Sequence, residues 1–145
     1  MQNGNADLEN NPQVIYEDQD IVAIDKPAGL LSGDACFMFH GTCLAHRLDR
    51  ETSGVLILAK HDAAREFIQN QFRNRMVKKI YLALVYGCVK NNEGVIEVPI
   101  GRAPGNVRKK LAGPRAKGKL REAVTRYKVR ELFHEYTFLE VYPQT

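Results

Sequence analysis

Six consecutive positions, His46–Glu51, carry five charged or imidazole side chains: His46, Arg47, Asp49, Arg50 and Glu51. Asp49 stands between Arg47 and Arg50. A carboxylate flanked by guanidinium groups is favoured in its ionised form, which suits it to act as a nucleophile or a base. The same pattern also describes a surface salt-bridge cluster without chemistry, and residue type alone leaves both readings open. A second grouping, Cys36-x3-His40-x2-Cys43-x2-His46, sets four metal-capable side chains within eleven residues. Its spacing matches no common zinc pattern, and His46 belongs to the first group. No metal site is therefore expected. Cys36, Cys43 and Cys88 read as buried free thiols. No glycine-rich phosphate loop is present.

The elements that must position Asp49 follow from the surrounding pattern. Thr52, Ser53 and Gly54 suit a sharp joint, and the apolar run Val55–Ala59 after them predicts a strand buried on both faces. A polar loop fixed to a buried strand holds a reactive group still while leaving it accessible. Upstream, Val14–Tyr16 and Ile21–Asp25 predict a hairpin with an acidic turn, broken at Lys26–Gly29. Leu30–Ala45 shows no clear period and reads as a connecting loop. Asp62 is a candidate cap for an amphipathic helix of about four turns, its apolar stripe running from Ala64 to Met76. Lys79–Gly87 is apolar on both alternating faces and predicts a central strand. Val95–Ile100 predicts another. Ala123–Phe133 and Tyr136–Tyr142 predict a hairpin turning at His134–Glu135, with Arg126, Lys128 and Arg130 on a wet face. The expected class is α+β, with a mixed, largely antiparallel sheet and a flanking helix.

The net charge of +4 is unevenly spread. Arg102–Arg130 holds eleven Lys/Arg and one acid, whereas the rest holds ten basic and sixteen acidic residues. A basic block of that size suits a polyanion, nucleic acid above all, although a solvated basic loop is the plainer alternative. Its Pro and Gly residues predict a long excursion rather than a helix. At 145 residues there is room for one domain with a real core. No apolar run approaches the ~20 residues of a membrane helix. Residues 1–12 read as a disordered tail without a secretory signal, so the expected compartment is the cytoplasm, or an organelle matrix if a targeting segment has been lost.

The stretch His46–Lys60, H-R-L-D-R-E-T-S-G-V-L-I-L-A-K, resembles the signature of the RluA-type RNA pseudouridine synthases. Ile15–Asp18, Asp20–Leu31, Lys78–Ala83 with Gly87, Pro99–Arg102 and Ala123–Thr125 agree in order, so the resemblance spans roughly residues 13 to 145. It implies isomerisation of uridine to pseudouridine within RNA, ribosomal RNA ahead of transfer RNA, without metal or organic cofactor. Asp49 would be the catalytic residue. Tyr81 would stack on the target uracil, although by itself it reads as a core tyrosine. Arg47 would fill the gap left by the flipped base. The basic excursion, with Arg102, Arg108, Lys109 and Lys110, would grip RNA. The resemblance also implies a G-R-x-H-Q-I-R segment whose arginine pairs with the catalytic aspartate, which this sequence does not contain. Residues 13–145 are thus expected to be a catalytic core incomplete at its C-terminus. Two consequences follow: an RNA-binding fragment with impaired catalysis, and an exposed edge at Tyr136–Tyr142 inviting self-association.

Overall fold

The computed structural model describes residues 11–145, apart from the side chains of Val107 and Arg108. Most of the tail expected to be disordered, residues 1–10, lies outside the described residues. The chain forms two compact units, one ending at Met76 and one comprising Val77–Thr145. Strand pairing in both is antiparallel, and with the helices this gives the expected α+β class.

The first unit is a four-stranded sheet with two helices. Strands β1 (Gln13–Glu17), β2 (Ile21–Lys26), β3 (Cys43–Leu44) and β4 (Gly54–Ala59) lie in the order β1-β2-β4-β3. The acidic turn between β1 and β2 closes on Asp18, whose Oδ1 accepts the N–H groups of Asp20 and Ile21, both at 2.8 Å. These bonds hold its carboxyl below the usual aspartate range. Val22 and Ile24 pair with Leu58 and Leu56, and all four are buried on one face. The other face, with Ile21, Cys43, Ile57 and Ala59, is covered by helix α2 (Asp62–Arg73) through Ala64, Ile68 and Phe72. Val55 is exposed, so β4 is buried on both faces only towards its Ala59 end.

Several expectations need correction. The α2 cap is His61, not Asp62: its Nδ1 accepts the Ala64 N–H at 3.2 Å. The helix ends at Arg73, leaving Met76 exposed beyond it, and Phe67 is exposed as well. Part of the stretch read as a connecting loop is a short helix, α1 (Ser32–Met38), held through buried Ser32 and Ala35.

The second unit holds two sheets. One has the order β5-β11-β10-β6, from β5 (Tyr81–Tyr86), β6 (Glu93–Glu97), β10 (Val124–Leu132) and β11 (Tyr136–Pro143). The β10–β11 hairpin is as expected. β5, expected to be central, is an outer strand, with Leu82, Leu84 and Tyr86 exposed and Tyr81, Ala83 and Val85 half-buried. The edge expected at Tyr136–Tyr142 is absent, because β11 pairs on both sides; β5 and β6 are the outer strands. The basic excursion is a three-stranded sheet, β8-β7-β9, formed by β7 (Ile100–Ala103), β8 (Asn106–Ala112) and β9 (Lys117–Arg121). Gly101 is buried in it: a Cβ there would lie 2.8 Å from both the Lys117 carbonyl oxygen and Leu120 Cδ2.

Candidate active site

Asp49 sits on the segment between β3 and β4, and alternation along that segment decides which side chains face out. Leu48 is only 8% exposed, whereas Arg47 and Asp49 on either side are exposed. The buried leucine turns its two neighbours to solvent. The backbone around it is held by five residues. Leu48 donates its N–H to Ser32 Oγ at 3.0 Å, and the same hydroxyl donates to the Leu48 carbonyl at 2.8 Å. Asp49's carbonyl accepts the Thr52 N–H at 3.1 Å, closing the turn towards Gly54. The Arg50 carbonyl accepts the Gly29 N–H at 2.8 Å, while Arg50 Nε donates to the Gly29 carbonyl at 2.8 Å. Gly29 has φ +87°, a conformation that favours glycine there.

Lys26 is the fourth support. It is fully buried at the end of β2, and its ammonium donates to the carbonyls of Pro27 (2.8 Å), Leu30 (2.8 Å) and Arg50 (3.2 Å). Three acceptors match the three ammonium protons. Burial pushes its pKa down. His46 is the fifth. β3 leaves β4 after Leu44, which pairs with Leu58, and the His46 ring takes over: Nε2 accepts the Ile57 N–H at 3.0 Å. The ring also stacks on Phe72, centroids 4.5 Å apart. Burial lowers its pKa, consistent with a neutral ring that can accept.

The carboxylate of Asp49 itself has no hydrogen-bond or ion-pair partner among the described residues. The flanking arginines do not form with it the salt-bridge cluster that the residue types also allowed. Arg50 is directed to Gly29 and approaches Glu51 at 4.0 Å, and Arg47 points outward with no ion-pair partner among the described residues. The Cys/His grouping is similarly dispersed. Cys36 Sγ lies 3.6 Å from the Thr42 carbonyl, Cys43 Sγ lies 3.5 Å from the Ala59 carbonyl, and His46 is engaged by Ile57. Cys36 and Cys43 are half-buried and Cys88 is exposed, so the expected burial of all three does not hold.

In the second unit, Tyr81 opens β5 on the half-buried face, opposite Val141 of β11. Arg102 on β7 is in register with Lys110 on β8 and with Lys117 on β9, so three exposed cations form a row across the sheet. Like charges directly opposite one another are unfavourable in isolation and are relieved by a polyanion laid along them. Lys109 is also exposed; the Arg108 side chain lies outside the described residues. Sequence reasoning did not single out Lys26, Ser32 or Lys117. The lysine ending an apolar strand was a readable signal; Ser32 and Lys117 are identified only by their partners.

Residues 42–145 match the RNA pseudouridylate synthase family. The chain belongs to that family. It is 36% identical to an uncharacterised RNA pseudouridine synthase of Aquifex aeolicus, over 92% of this chain and 48% of the relative. It is 36% identical to ribosomal large subunit pseudouridine synthase D of Neisseria meningitidis serogroup B, over 88% of this chain and 38% of the relative. Among solved structures, human RNA pseudouridylate synthase domain containing 1 superposes with a TM-score of 0.84 at 25% identity, covering all of this chain and 63% of that one. These similarities support the RluA type within the family. The chain spans about half the length of the curated relatives it matches. Among the described residues no helix is long and apolar enough to cross a membrane.

Proposed function

We propose that this chain carries the uridine-isomerising site of an RNA pseudouridine synthase, with Asp49 as the catalytic carboxylate. The observation that carries this reading is an exposed carboxylate on a backbone pinned at Leu48, Asp49 and Arg50. A carboxylate so held can attack C1′ of the sugar, or remove a proton from the sugar, as the N1–C1′ bond breaks; the uracil turns, C5 bonds to C1′ as the carboxylate is released or the sugar proton is returned, C5 gives up its proton and N1 takes one up. Tyr81 would stack on the extruded base and Arg47 would occupy the space it leaves. The row Lys110–Arg102–Lys117, with Lys109 and Arg108, would hold the phosphate backbone. Ribosomal RNA is the favoured substrate, because relatives of matching sequence are named for the large ribosomal subunit. Residues 13–145 are then part of one catalytic domain of a cytoplasmic enzyme, and self-association would use the outer strands β5 or β6.

A second reading is an RNA-binding fragment with impaired catalysis. It is favoured by the lack of any cation paired with Asp49 among the described residues. Incubating the chain with ribosomal RNA transcribed in vitro, and measuring pseudouridine and binding together, separates the two. Product formed by the parent chain and lost in Asp49→Asn supports catalysis by Asp49. Salt-sensitive binding without product supports the fragment reading.

A further inference from the structure

We propose that Ser32 is a positioning residue for Asp49, acting through the peptide groups on both sides of Leu48. The inference rests on the reading of Asp49 as the catalytic carboxylate.

Ser32 is the first residue of α1 and is 5% exposed. Its hydroxyl is not spent on capping its own helix: the capping residue is Leu31, which offers no side-chain bond. Instead it makes two bonds to one residue sixteen positions away, accepting from Leu48 N–H at 3.0 Å and donating to Leu48 C=O at 2.8 Å. That C=O belongs to the peptide bond that begins Asp49. A single hydroxyl using both its donor and an acceptor lone pair sets the plane and the height of this peptide. Leu48 lies outside every strand, so no ladder supplies these bonds. The buried Leu48 side chain seats the loop, but an apolar side chain makes no directional bond and leaves the tilt of the flanking peptides free; the hydroxyl removes that freedom. The other supports act on different atoms, Lys26 and Gly29 on the Arg50 carbonyl and His46 on Ile57. Without Ser32 the loop keeps its anchor points and loses orientation at the residue that precedes the carboxylate. Misplacement on that scale lowers the rate of a positioned reaction on the order of 10- to 100-fold.

Two readouts test this on the whole chain. The first is amide hydrogen exchange by NMR, which needs no turnover. In the parent, the Leu48 amide is expected to be protected although it lies in no strand; an unprotected Leu48 amide overturns the proposal. In Ser32→Ala, Leu48 is expected to exchange at least about tenfold faster while Leu56 and Leu58 are unchanged. The second is pseudouridine formation on ribosomal RNA transcribed in vitro. Ser32→Ala is expected to lower the single-turnover rate at saturating RNA on the order of 10-fold or more, with RNA affinity within about twofold. An unchanged rate with Leu48 protection lost overturns the positioning role. A parallel fall in rate, affinity and protection across β4 reduces Ser32 to a structural residue and overturns it too. Asp49→Asn is measured alongside: full turnover by that variant removes the underlying reading, and the exchange result for Leu48 is unaffected by it.

Discussion

The His46 imidazole accepts the Ile57 N–H at 3.0 Å and therefore needs an unprotonated Nε2. Its pKa is lowered from the ordinary 6.5 by burial. Below about pH 6.5 the unfolded chain takes up a proton that the folded chain resists, so the contribution of His46 is complete above that pH and is lost as pH falls through the folded-state value. The thermal midpoint of the parent is expected to drop as pH falls below about 6.5, and His46→Gln, which keeps an acceptor, is expected to flatten that dependence. An unchanged slope in the variant would show that other groups carry it. Thr137 offers a comparison without charge. It is fully buried, donates to the Gly87 carbonyl at 2.7 Å and accepts from the Val89 N–H at 3.0 Å. Thr137→Val keeps the shape and strands both partners, at a cost of about 1–3 kcal/mol measurable by urea unfolding. At this scale Asp49 could be singled out as a candidate from its own neighbours, but the groups that hold it could not. Ser32 and Leu48 are linked by hydrogen bonds across sixteen positions, and no local spacing carries that information.

Elements with strong local periods matched their sequence patterns: the β1–β2 hairpin, β4, α2 and the β10–β11 hairpin. α1 did not, since seven residues containing Gly33 and lacking a side-chain cap give no helical signature, and its place is set by Ser32 and Ala35. The apolar character of β5 was read correctly, but its position in the sheet depends on β11, which follows it by some fifty residues. In the basic excursion, glycine and proline suggested irregular chain. Gly105 and Gly113, at φ +71° and +88°, instead supply bends next to β8 of a compact sheet. That sheet gives a test of its own. Arg102 stands between Lys110 and Lys117, so Arg102→Ala is expected to weaken RNA binding and reduce the salt dependence by roughly 0.7–0.9 in the slope of log K against log salt. An unchanged slope would place the RNA elsewhere.

For the molecule as a whole, an acidic remainder and one strongly basic segment meet in a chain whose net charge is only +4. The structure resolves that asymmetry into one unit presenting a pinned carboxylate and another bearing a basic sheet. The chain belongs to the RNA pseudouridylate synthase family and spans about half the length of the curated relatives it matches. Whether the site works therefore turns on Asp49. The most direct measurement is pseudouridine content in ribosomal RNA after incubation with the parent chain and with Asp49→Asn, both verified as folded by circular dichroism. Pseudouridine formed by the parent and absent with Asp49→Asn is the expected result. Equal product from both would contradict the assignment of Asp49 as the catalytic residue.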